Sequence, residues 1–132
     1  MIRSGYDRPI GPWPRREQPP EAIRLIAPEE LRAWIVHEDE RLLVLNKPGD
    51  VVCHPSKAGP WSSLVGAARE YLGGGAMHLI FRLDRETSGV VLFAKSPELQ
   101  GNFTAMFETH AVTKIYSALV RPAPRQPAGK ID

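Results

Sequence analysis

Between residues 82 and 89 the chain reads Arg82-Leu83-Asp84-Arg85-Glu86-Thr87-Ser88-Gly89, four charged side chains and two hydroxyls in eight positions. Apolar runs, Met77 to Phe81 and Val90 to Ala94, lie on either side. Setting so many polar groups against a core carries a desolvation cost unless they are paired or hydrogen-bonded. Two uses fit. Asp84 can accept backbone hydrogen bonds in a salt-bridged turn, with Gly89 supplying a permissive backbone, and composition alone favours that structural use. Alternatively, Asp84 is a reactive carboxylate carried on a loop. A sugar-cleaving hydrolase would need a second carboxylate at a defined separation, and Glu86, two positions along, does not supply one.

The elements that must position this loop can be read from the apolar pattern. Leu42-Leu43-Val44-Leu45 is a compact strand-like run stopped by Asn46-Lys47-Pro48-Gly49, and Val51-Val52 suggests a second short strand before His54-Pro55. Ser62 or Ser63 can cap a helix with Leu64, Ala68, Tyr71 and Leu72 on one face, ended by Gly73-Gly74-Gly75. Met77 to Phe81 and Val90 to Ala94 are predicted as strands flanking the polar loop. Ser96-Pro97 then opens a helix carrying Leu99, Phe103, Met106 and Phe107, and Lys114 to Val120 is predicted as a closing strand. The pattern is one of mixed α and β structure.

A chain of 132 residues accommodates one domain. Five of its thirteen prolines precede residue 21, so residues 1–20 read as a proline-rich basic extension and 21–132 as the domain. Cys53 is the only cysteine, which excludes an internal disulfide, and the four histidines show no metal-ligand spacing. Seventeen basic against fifteen acidic residues give a net charge of +2, too small to name a polyanionic partner. Lys47, Lys57, Arg69, Arg85, Lys95 and Lys114 could form a phosphate-binding surface, but acidic neighbours interrupt them and a solvated mixed-charge surface is the simpler expectation. No window approaches the roughly 18 apolar residues of a membrane span, and the start lacks an apolar signal segment, so a cytoplasmic location is expected.

The wider stretch from Phe81 to Lys95 resembles the signature of the RluA-type pseudouridine synthases, H-R-L-D-x-x-T-S-G followed by a strand and A-K. Asn46-Lys47-Pro48-Gly49 with His54-Pro55 resembles the N-K-P-x-G and H-P stretch of the same family, and Lys114-Ile115-Tyr116 resembles its K-x-Y. The resemblance covers about residues 35–132. It implies an α+β fold, a mixed, largely antiparallel sheet with flanking helices, and isomerisation of uridine in ribosomal or transfer RNA without cofactor or metal. It makes Asp84 the essential aspartate, acting at the ribose by attack on C1′ or by taking a proton at C2′. Tyr116 would lie against the target base and could remove the C5 proton. Arg82 would brace the space left by the extruded base, a role suited to a planar, permanently charged guanidinium, or else pair with Asp84. Thr87 and Ser88 could contact a phosphate or stabilise the turn. Arg85 and Lys114 are the other cations that the motifs bring near. In a shielded cleft, one of these three cations or a set of hydrogen-bond donors should offset the desolvation of Asp84.

Two departures qualify the resemblance. Phe81 stands where the signature opens with histidine, which removes a hydrogen-bonding group and is expected to alter how the loop is seated. Family domains also continue well past the K-x-Y segment, so the chain resembles the N-terminal portion of such a domain. A non-catalytic RNA-binding fragment and an inactive fragment are the alternatives.

Overall fold

The computed structural model describes residues 24–54 and 58–131; the basic extension 1–20 and Lys57 lie outside them. Helix α1 (Pro28–Ala33) opens with proline in its first turn, and Glu30 accepts a hydrogen bond from the Ala27 amide at 3.0 Å. Strands β1 (Ile35–Glu38) and β2 (Leu42–Lys47) form a hairpin. At its turn the Asp39 carboxylate accepts from the Arg41 and Leu42 amides at 2.7 and 2.8 Å. A 3-10 turn (Pro60–Ser62) leads into α2 (Leu64–Tyr71), whose cap is Ser63, accepting from the Gly66 amide at 3.1 Å. Strand β3 is only His78–Leu79, strand β4 is Gly89–Ala94, and α3 (Pro97–Glu108) starts under the Ser96 cap.

The four strands lie in the order β1-β2-β4-β3 with every pairing antiparallel. Successive side chains of a strand point to opposite faces, so the sheet separates two layers. Leu43 and Leu45 of β2 join Val91 and Phe93 of β4 in a core with Leu31 of α1 and Leu64, Ala67 and Ala68 of α2. The alternate β4 residues Val90 and Leu92 face a cavity lined also by Phe103 and Phe107 of α3. That second layer is thin, for α3 buries none of its residues. Among the described residues no helix is long and apolar enough to cross a membrane.

Three predicted strands differ from the structure, each for a hydrogen-bonding reason. Val51-Val52 is not a strand because its carbonyls serve other groups: Val51 accepts from Lys47 Nζ at 2.8 Å and Val52 from the Leu64 amide of α2 at 2.8 Å. Met77 to Phe81 contributes two strand residues, extended by one bond from the Ile80 amide to Leu92 at 3.0 Å. Lys114 to Val120 is extended without being a strand. The sheet pairings include no residue beyond Ala94, so this segment has no ladder to join. Two elements were not anticipated from sequence, α1 and β1. The Pro28-Glu29-Glu30 opening of α1 is a helix-start signal that the apolar pattern alone does not weigh.

Candidate functional site

The polar loop sits on the turn that precedes it in sequence by some forty residues, and the connection is made largely through backbone carbonyls. Lys47 is the last residue of β2 and shares a face with Leu43 and Leu45, so its side chain points into the core and is fully buried. Its ammonium donates to the carbonyls of Pro48 at 2.9 Å, Val51 at 2.8 Å and Arg85 at 3.1 Å. All three donor positions of an ammonium are thereby used. Burial lowers the pKa of Lys47, while Cys53 and the acidic groups Glu86, Asp50 and Asp84 act against that shift. Two more ties converge on the loop: the Asp50 amide donates to the Arg85 carbonyl at 2.9 Å, and Cys53 Sγ to the Leu83 carbonyl at 3.3 Å. Gly49 lies so close beneath that a Cβ there would meet the Glu86 carbonyl at 3.3 Å.

Asp84 therefore stands between two anchored carbonyls, those of Leu83 and Arg85, with the Leu83 side chain buried below. Its own carbonyl accepts from the Thr87 amide at 3.1 Å, closing a tight turn over Arg85 and Glu86. Gly89, at φ 138°, completes the bend in a conformation that an L side chain rarely adopts. The Asp84 carboxylate is exposed, and among the described residues it has neither an ion pair nor a side-chain hydrogen bond. Arg82, also exposed, does not pair with it. Arg85 turns away to Asp50, with Nε and NH2 at 3.2 and 3.1 Å from Oδ1, and the Lys114 ammonium lies 5.8 Å from the Phe107 ring centre. None of the three cations is a counter-ion to Asp84. The reason is exposure: a solvated carboxylate lacks the desolvation cost that a partner would offset.

Tyr116, Lys114, Thr87 and Ser88 come together around a cavity of about 770 Å³ that also involves Glu86 and the apolar residues of β4 and α3. Asp84, Arg82 and Arg85 are not among its lining residues. The proposed site residues thus fall into two groups on either side of the Asp84–Thr87 turn. Phe81 is half-buried, its ring 5.0 Å from that of Phe107 at 43°, so the aromatic replacing histidine seats α3 against the loop.

Among the described residues the basic side chains do not gather into one phosphate-binding patch, in line with the mixed-charge surface that is the simpler expectation from sequence. Lys47 is interior, Arg85 pairs with Asp50, and Lys95 pairs with Glu38 at 2.9 Å at the end of β4 remote from the loop. Sequence reading missed the anchoring roles of Lys47, Asp50 and Cys53. For Lys47 the signal was present, since a two-residue period through Leu43 and Leu45 arrives at residue 47. Among the described residues no group of three His, Cys, Asp or Glu side chains is placed to hold a metal ion.

The comparisons with known proteins agree with this anatomy. The RNA pseudouridylate synthase family matches residues 41–132, from β2 through both motif loops to the tail. An uncharacterised RNA pseudouridine synthase of Mycoplasma pneumoniae is 33% identical over 95 residues, covering 72% of this chain and 31% of its own length. Ribosomal large subunit pseudouridine synthase D of Zymomonas mobilis is 34% identical over 101 residues, covering 70% and 32%. Among solved structures, human RNA pseudouridylate synthase domain containing 4 superposes with a TM-score of 0.51 at 30% identity, over 64% of this chain and 33% of that one. The chain belongs to the RNA pseudouridylate synthase family, and its named relatives place it with the RluA-type members. It spans about a third of the length of the curated relatives it matches.

Proposed function

We propose that this chain carries the N-terminal part of the catalytic domain of an RNA pseudouridine synthase and supplies the carboxylate that acts at the target ribose, in ribosomal or transfer RNA. The observation that carries the reading is Asp84 itself, an exposed ionisable side chain without an ion pair or side-chain hydrogen bond among the described residues, while the carbonyls on both sides of it are pinned to buried groups. A purely structural aspartate would spend its oxygens on the turn, as Asp39 does in the β1–β2 hairpin. In the reaction the N1–C1′ bond of uridine breaks, the base turns, C5 bonds to C1′ and the C5 proton leaves. Positive charge develops on the sugar as the first bond breaks, and a carboxylate held close stabilises it. Attack on C1′ and proton removal at C2′ both suit an exposed carboxylate. Tyr116 is the group proposed to meet the base and take the C5 proton, and Arg82 to fill the space the base leaves.

The substrate must first leave its stack, because a base inside a helix keeps its sugar out of reach of a loop carboxylate. Thr87, Ser88, Lys114 and Arg85 are proposed to bind the displaced strand. The test is release of tritium from C5 of uridine in a ribosomal or transfer RNA transcript, with Asp84→Asn as the control. Release above that control supports the reading, and equal release from both contradicts it. One observation favours a second reading, RNA binding without catalysis: Asp84 lies outside the cavity that Tyr116 lines. Salt-dependent RNA binding with no tritium release is the outcome expected of that alternative.

A further inference from the structure

Past α3, residues 113–120 run extended and every one of them is exposed. Two of the apolar side chains are almost wholly so, Ile115 at 88% and Leu119 at 104%. Among the described residues no backbone N–H or C=O of residues 114–120 makes a hydrogen bond. An extended stretch with unpaired backbone groups is a ready template for another strand, and Pro122, which has no N–H to donate, ends it on one side. Ile115 and Tyr116 also line the cavity with Val90, Leu92, Phe103 and Phe107, so the apolar tail and the apolar cavity wall form one continuous surface, of the kind that marks an interaction site.

The segment is complementary to itself. Two copies related by a two-fold axis pair as antiparallel strands with one residue opposite its own counterpart at the centre. Centred on Ser117, such a ribbon sets Ile115 against Leu119 twice, Tyr116 against the small Ala118, and Lys114 against Val120. Side chains alternate between faces, so Ile115, Ser117 and Leu119 share one face and the two isoleucine–leucine pairs flank the central serines. No like charges meet, because Arg121 falls opposite Thr113. The neighbouring registers are poorer. A centre at Tyr116 opposes Ile115 to Ser117 and Leu119 to Thr113, and a centre at Ala118 opposes Ile115 to Arg121 and Leu119 to Ser117. We propose that residues 114–120 are a homodimerisation strand, which pairs antiparallel about Ser117 with the same segment of a second copy. The ribbon covers the apolar side chains left exposed in the single chain and satisfies its unpaired backbone groups. With seven residues a side the interface is small, and the association belongs to the weak, transient class.

Sedimentation equilibrium of the full chain, from micromolar to millimolar concentration, reads the association, and a reversible monomer–dimer equilibrium is expected. Ser117 is exposed and makes no hydrogen bond among the described residues, so its substitution spares the fold. Ser117→Lys and Ser117→Glu each set like charges directly opposite one another at the centre of the ribbon, and each is expected to raise the dimer dissociation constant by about tenfold or more. An equimolar mixture of the two variants restores dimers, now with opposite charges paired, a rescue that contact through any other surface would not give. Cysteines read the register. On oxidation Ser117→Cys cross-links to itself and Ile115→Cys to Leu119→Cys, whereas Ile115→Cys does not cross-link to itself; the native Cys53 is buried. A chain that stays monomeric at every concentration overturns the proposal and leaves the segment to a different polypeptide. A dimer indifferent to both Ser117 substitutions, or cross-links in another register, overturns it as well.

Discussion

At the scale of single residues, the most informative side chain is the buried Lys47. It lies on the core face of β2 and uses its ammonium to tie the loop carrying Asp84 to the turn beneath. Replacing it with methionine keeps the apolar stem but leaves the carbonyls of Pro48, Val51 and Arg85 without this donor. Breaking such a buried, charge-assisted set costs on the order of 3 kcal/mol. Lys47→Met is therefore expected to lower the denaturant midpoint markedly and to loosen the loop, read as faster amide exchange at Thr87, whose bond to the Asp84 carbonyl closes the turn. Much of this was legible beforehand: the spacing of Leu43, Leu45 and Lys47 states the face. Asp50 was not, because a lone acid beside a glycine reads as a solvated turn until its φ and its partner are seen.

At the scale of elements, the caps show how far local sequence carries. Ser62 or Ser63 and, further on, Ser96 are expected from sequence to open helices; Ser63 and Ser96 do so, each accepting the amide three residues on, at 3.1 and 3.3 Å. Ser63→Ala should cost about 2 kcal/mol in a denaturation measurement, at the upper end of the usual capping range since the serine is fully buried. The β1–β2 hairpin makes a pH prediction. The His37 ring hydrogen bond, with the Arg41 and Leu42 amides, holds the Asp39 pKa at about 2, below its ordinary 3.8. An acid whose pKa is depressed on folding contributes stability that is complete above its unfolded value and is lost as pH falls through its folded value. Hairpin amide protection should thus decline between about pH 4 and pH 2, and Asp39→Asn, which keeps an acceptor for both amides, should flatten that dependence. Strand assignments read least well. Apolar character marks Val51-Val52 and Lys114 to Val120 as strands, but a strand also needs an unengaged partner, which sequence does not display.

At the scale of the whole molecule, the two layers around the sheet are unequal. The layer of α1 and α2 encloses the core, while α3 buries no residue; Met106 of α3 is 42% exposed and Val90 of β4 51%. Local stability follows burial, so amides of α3 should exchange well before those of β2 and β4 in native-state hydrogen exchange. The α+β fold and the order of the motif blocks were legible from three short ordered motifs. The separation of Asp84 from the Tyr116 cavity was not, because spacing along the chain does not say on which side of a turn a side chain emerges. The proposed chemistry turns on Asp84, and since the chain spans about a third of its relatives' length, that chemistry is read most directly within a full-length relative. Residues 41–132 would replace the matching part of the Zymomonas mobilis pseudouridine synthase D, with tritium release from uridine C5 measured in ribosomal RNA. Sustained release by the chimera, reduced to background by Asp84→Asn with the fold intact, is the predicted result. Release that is undiminished by that substitution would contradict it.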